Sequence, residues 1–148
     1  MKKPSKSSFK RILIAVDDSG LAAHAADVGI ELAKSVSAEV GFVHAFDPAK
    51  APGTAWGVNA DKAAEMSERV GKRLLSDFRE RAALRSGVPE FLESGKPAAK
   101  IIEVAKNWSA DLIVMGSHGR GKIPGILLGS VSQEVLHRAP CPVLVLRA

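Results

Sequence analysis

Cysteine is nearly absent: Cys141 stands alone among 148 residues. A single thiol closes no internal disulfide, and its surroundings, APCPVLVL, read as entry into a strand with a buried structural thiol rather than as a metal or nucleophile site. No apolar run approaches the roughly 20 residues that a membrane-spanning helix needs. The opening MKKPSKSSFKR lacks the apolar stretch of a secretory signal, so the expected location is cytoplasmic. Acidic residues are missing from the first eleven positions, where Lys2, Lys3, Lys6, Lys10 and Arg11 supply five of the 21 basic residues; 16 basic and 16 acidic residues remain beyond them. The formal charge of +5 therefore belongs to one end of an otherwise neutral chain. Such an end attracts nucleic acid or anionic lipid weakly and with strong salt dependence, and a dedicated nucleic-acid function is not expected. Low-complexity tracts are also absent, and 46% hydrophobic with 25% charged residues is ordinary globular composition. The expectation is a basic tail over residues 1–10 and a single domain over 11–148.

What the chain does have is an alternation of strand and helix patterns. RILIAVD at 11–17 is an unbroken apolar run ending in an acid, as a strand buried on both faces reads. From Ser19 to Val36, Ala22, Ala25, Ala26, Gly29, Ala33 and Val36 recur at helical spacing, with Asp18 or Ser19 as N-cap. EVGFVHAF at 39–46 returns to strand composition, and the proline-bearing segment 47–58 reads as a loop. A long helix is predicted over 59–86, with Val70, Leu74, Phe78 and Ala82 on its buried stripe and Gly87 as its stop. A strand at 88–94 precedes a helix at 97–108 opened by Pro97 and packed through Ile101, Ile102 and Ala105. DLIVMG at 111–116 is the fourth strand, 130–138 the last helix and PVLVLR at 142–147 the last strand. This order predicts an α/β fold: a doubly wound, Rossmann-like open parallel sheet of five strands, order 3-2-1-4-5, with helices on both faces. Ligands of such sheets sit beyond the carboxyl ends of the strands where the order reverses, which directs attention to the loops after the first and fourth strands.

The stretch after the fourth strand, GSHGRGKIPGILLGSVS at 116–132, carries Gly116, Gly119, Gly121, Gly125 and Gly129 and runs into a helix. Glycines let backbone amides approach an anion, and the helix start adds free N–H groups and the positive end of its dipole. Ser130 and Gln133 have capping-box spacing, which makes Ser130 both an N-cap and a neighbour of any phosphate bound there. Arg120 and Lys122 bring positive charge to the loop, or are simply solvated. Two other phosphate motifs are missing: no G-x4-G-K-[S/T] run occurs, and the first strand leads into DDSG rather than G-x-G-x-x-G. Asp17 either caps the following helix or faces the ligand crevice, and Met115 is core or ligand contact. His44 and His118 have no His, Cys or carboxylate at ligand spacing within their segments, so His44 reads as a packed strand histidine and His118 has no evident ordered partner. Trp56 and Trp108 read as core or interface aromatics.

Gly116, two residues, Gly119, nine residues and then Gly129-Ser130 resembles the G-x2-G-x9-G-[S/T] signature of the ATP-binding branch of the universal stress protein family. ILIAVDDS at 12–19, VHAF at 43–46, DLIVMG at 111–116 and RAPCPVLVLR at 138–147 extend the resemblance along the chain. It implies a homodimer that binds ATP in the stress response, with catalysis absent or slow. By position, it implies Ala15, Val16 and Asp17 beside base and ribose, Ala45 offering backbone groups to the adenine edge, and Met115 against the nucleoside. Gly116, Ser117, Gly119 and Arg120 would border ribose and phosphates; Gly129, Ser130, Val131 and Ser132 would hold the phosphate tail. Mg2+ would accompany the nucleotide, with Asp17 as its protein ligand. The last strand, 142–147, is expected at a sheet edge, where two-fold pairing with a second copy would cover its unpaired backbone.

Three functions follow as expectations. One is a nucleotide-dependent regulatory module that offers different surfaces to an unnamed protein partner with and without ATP. Another is a slow ATP hydrolase or nucleotidyl-transfer enzyme using Asp17 or Asp18 to hold a metal. The third is a module for AMP or a dinucleotide. The segment 47–58 is expected to close over the base.

Overall fold

The computed structural model describes residues 9–51, 57, 59–82, 87–119 and 124–147. The basic residues Lys2, Lys3 and Lys6, residues 52–56 and 58 of the 47–58 segment with Trp56 among them, and Arg120, Gly121 and Lys122 lie outside them.

Among the described residues five strands and four α-helices alternate: β1 (Arg11–Ala15), α1 (Gly20–Val36), β2 (Glu39–Phe46), a 3-10 turn (Pro48–Lys50), α2 (Ala60–Arg81), β3 (Glu90–Ser94), α3 (Pro97–Asn107), β4 (Leu112–Gly116), α4 (Ser130–Arg138) and β5 (Val143–Leu146). All four strand pairings are parallel and the order is 3-2-1-4-5, as expected from the alternating pattern. Because side chains alternate across a strand, β1 serves two cores at once. Ile12, Ile14 and Val16 join Phe42, Val114 and the small residues of α1 with Leu75 and Phe78 of α2 on one face. Leu13 and Ala15 join Val43, Ile113, Met115 and the α3 residues Ile101, Val104 and Ala105, with Val135 of α4, on the other. Ile12, Leu13, Ile14, Ile113 and Val114 are fully enclosed, which is why these strands carry no polar alternation.

Several local expectations shift. The buried line of α2 runs through Ala63, Gly71, Leu75 and Phe78 and on to Ala82, while Val70 is exposed. The reason is geometric: steps of four residues advance by about 400°, so a strict every-fourth stripe drifts about 40° per step, and a core-facing line must mix threes and fours. The helix ends at Arg81 with Ala82 as C-cap, so Gly87, with φ +107°, lies beyond that cap in the approach to β3. The last helix is capped by Gly129 instead of Ser130, and its ladder opens with Gln133 N–H donating to the Gly129 carbonyl; the expected box between Ser130 and Gln133 does not form. Strand β1 ends at Ala15, short of the end of its apolar run, because after the Val16 N–H bond to the Val43 carbonyl the chain leaves the ladders with β2 and β4.

Candidate nucleotide site

Strand β1 stops pairing at Ala15 and is followed by Val16 and Asp17. Asp17 Oδ1 accepts from the Ser19 amide at 2.9 Å and from the Ser19 hydroxyl. Ser19 Oγ in turn accepts from the Ala22 amide at 3.1 Å, as an N-cap does. Ser19, not Asp17, is the cap of α1; Asp17 braces that cap through Oδ1 and borders the cavity, with its second oxygen pointing elsewhere. A Cβ placed on Gly119 would come 2.7 Å from Asp17 Oδ2, so the loop after β4 reaches that carboxylate only because residue 119 has no side chain.

Strand β4 leads through Gly116 to Ser117, and the Ser117 carbonyl is the fastening point of the loop. It accepts from the Gly129 amide at 2.7 Å and from Ser132 Oγ at 2.7 Å, tying the start of α4 back to the end of β4. Ser132 is buried, and its hydroxyl also lies 3.0 Å from the Gly129 carbonyl. A side chain at 129 would press to 3.1 Å of the Ser117 carbonyl. With Gly129 as cap, the amides of Ser130, Val131 and Ser132 fall in the first turn, where a helix supplies no acceptor. The Ser130 hydroxyl makes no capping bond.

These two loops enclose a cavity of about 320 Å³. Twelve of the residues singled out from the sequence line it: Ala15, Val16, Asp17 and Ala45 from the β1 and β2 ends, Met115, Gly116, Ser117 and Gly119 from β4 and its loop, and Gly129, Ser130, Val131 and Ser132 from the α4 start. Arg120 lies outside the described residues. The wall is apolar where Ala15, Val43, Met115 and Ile101 meet, and polar at Asp17 and the start of α4. The volume and this division into an apolar slot with a few convergent polar groups suit a small polar ligand.

Sequence reasoning did not assign Pro97 and Ile101 to the cavity; they reach it from α3, which has no local motif to announce it. Val43 was also missed, although it shares a strand face with Ala45. His118 Nδ1 lies 3.0 Å from Ser117 Oγ, a partner not evident from the sequence, while its Nε2 is enclosed without one among the described residues. Among the described residues, no group of three or more His, Cys, Asp or Glu side chains is arranged to hold a metal ion, and one oxygen of Asp17 is already committed to Ser19. No helix among them is long and apolar enough to cross a membrane. Cys141 is half-buried, and that burial pushes its thiol pKa up, away from nucleophile chemistry.

The chain matches the model of the universal stress protein family over residues 8–147. A universal stress protein of Thermus aquaticus is 38% identical over 146 residues, covering 94% of this chain and 99% of its own length. The structure of the hypothetical protein MJ0577 superposes with a TM-score of 0.82 at 25% identity, covering 95% of this chain and 97% of the other. A universal stress protein in complex with cAMP shares the fold with a TM-score of 0.69 at 24% identity, covering 95% of this chain and 98% of the other. Sequence match along nearly the full length, strand order and loop architecture agree: this chain belongs to the universal stress protein family.

Proposed function

We propose that this protein binds an adenine nucleotide, ATP in preference to AMP, and acts as a nucleotide-dependent regulatory module of the stress response with little or no turnover. The observation that carries the reading is the fastening of the glycine loop to the Ser117 carbonyl, which presents the unpaired first-turn amides of α4 and the Ser130 hydroxyl to the same cavity as Asp17. Three amides at a helix start favour a phosphate chain. The apolar slot between Ala15, Val43, Met115 and Ile101 suits a purine, and Asp17 Oδ2 would take the ribose hydroxyls. The cAMP held by one protein of this fold is an adenine nucleotide with a single phosphate, so it bears on base and ribose and says nothing of phosphate count.

Mg2+ would be held chiefly by the phosphates, since such ions keep most of their waters, with Asp17 Oδ2 as its one protein oxygen only where that oxygen is released from the ribose. That same oxygen is what favours the second reading, slow hydrolysis with a metal at Asp17. The protein would act in the cytoplasm as a homodimer joined through 142–147; β5 is an edge strand whose residues are all half-buried, and a second copy would cover it.

Calorimetric titration of nucleotide-free protein with ATP, ADP, AMP and NAD, with and without magnesium, tests the proposal. ATP is expected to bind most tightly, with Ser130→Ala costing about ten-fold for ATP and much less for adenosine. Absence of binding by every adenylate would refute it.

A further inference from the structure

The β1–β2 ladder ends on an unusual bond. Its last paired residues are Ala15 and Val43, and beyond them Val16 N–H donates to the Val43 carbonyl at 2.9 Å. In a parallel ladder the next rung runs from Ala45 N–H to the Val16 carbonyl. That rung is not made. The Val16 carbonyl bonds instead with His44 Nδ1 at 2.8 Å; a carbonyl only accepts, so Nδ1 carries the proton.

His44 is well placed to hold that bond. Alternation along β2 sends the Val43 side chain toward α3 and the His44 ring under α2, although His44 also borders the cavity. There a Cβ on Gly71 would come 3.0 Å from His44 Cδ2 and 2.5 Å from Leu92 Cδ1, so α2 can press onto the ring only through a glycine. The Phe46 ring stacks beside it with centroids 6.5 Å apart. The imidazole is thus gripped from behind and beside, with its donor turned to Val16.

We infer that His44 is a positioning residue: by occupying the Val16 carbonyl it stops the sheet one rung short and keeps the Ala45 amide free to read a purine edge. The free amide is a donor, so it pairs with an adenine N1, which has a lone pair, and opposes hypoxanthine or guanine, whose N1 carries hydrogen. The selectivity for adenine over hypoxanthine is set by a side chain packed under α2, behind the amide that would read the base. The inference rests on the adenine-nucleotide reading above, but its structural half stands without it.

The test compares wild type, His44→Phe and His44→Asn. Phenylalanine keeps a ring under α2 and against Phe46 but has no donor; asparagine carries an N–H at the same distance from Cβ as Nδ1. Amide hydrogen exchange at Ala45 and titrations with ATP and ITP are read on each. Expected for His44→Phe is a slowed Ala45 amide, re-paired with Val16, about ten-fold weaker ATP binding and an ATP-to-ITP ratio collapsing toward one, with His44→Asn restoring all three. Unchanged Ala45 exchange and an unchanged ratio in His44→Phe would overturn the inference, as would loss of selectivity in both variants alike. If wild type binds neither nucleotide, the adenine-nucleotide reading and the selectivity role fail together, while Ala45 exchange still decides whether His44 stops the ladder.

Discussion

At the amino ends of β1 and β4 the backbone is finished rung by rung. Glu39 N–H donates to the Lys10 carbonyl at 2.8 Å and Asp111 N–H to the Arg11 carbonyl at 2.8 Å. The Asp111 carboxylate takes the Lys10 and Arg11 amides at 2.8 and 2.9 Å. Arg11 donates to the Trp108 carbonyl at 2.8 Å, and its guanidinium lies 5.6 Å from the Trp108 ring centre. At the carboxyl ends the same strands part. Pairing of β1 with β4 stops at Ile14 and Val114, a side chain takes the Val16 carbonyl, and glycines replace side chains where the loops meet. Polar groups at one end are spent on the fold, and under the proposed function those at the other are kept for a ligand. On that proposal the crevice is a sheet left unzipped, made as much by bonds withheld as by residues added.

Substitutions at the two ends should therefore separate binding from stability. The largest effect is expected at Gly129→Val, which drives a branched side chain against the Ser117 carbonyl, 3.1 Å from where even a Cβ would sit. ATP affinity should fall at least about 100-fold, near 3 kcal/mol, with overpacking costing about 1–3 kcal/mol of stability; titration and a denaturant melt on the same sample read both. Affinity retained by the Gly129→Val protein would break the comparison. Next is Asp111→Ala at the opposite end, which strips two amides of their acceptor. It should lower unfolding free energy by about 1–3 kcal/mol and leave ATP affinity within roughly two-fold of wild type.

Much of this division is legible in the chain itself. Asp17 closing a doubly buried run and five glycines between a strand and a helix both mark the carboxyl end, because each is a local pattern with a local cause. Pro97 and Ile101 are not legible as site residues, since only the crossover of α3 brings them to the cavity. The roles of Ser132 and His44 are hidden for a related reason: each acts on a carbonyl 15 or 28 positions away, and no short-range pattern encodes such a partner. Ser130 misleads in the other direction, because capping-box spacing fits the sequence while Gly129 already makes the turn.

The smallest effect lies away from both ends, where Arg81 of α2 pairs with Asp27 of α1 at 2.9 Å. The Arg81 hydrogen bond holds the Asp27 carboxyl below its ordinary value, with desolvation pulling the other way. A depressed folded value means the contribution is fully present above the unfolded carboxyl pKa of about 3.9 and is lost as pH falls through the folded value. Both side chains are half-exposed, so Asp27→Asn should lower the melting temperature slightly at neutral pH, and the difference should vanish in strong acid. It should leave nucleotide affinity untouched, which sharpens the contrast with Gly129.

A map of backbone amide shifts on titrating ATP into nitrogen-15-labelled protein addresses both ends of the sheet at once. Saturable shifts are predicted at Ala45, Gly119, Ser130 and Val131 with Arg11, Glu39 and Asp111 unmoved; shifts centred on those amino-end residues, or none anywhere at saturating ATP, would contradict the division between a finished end and a binding end.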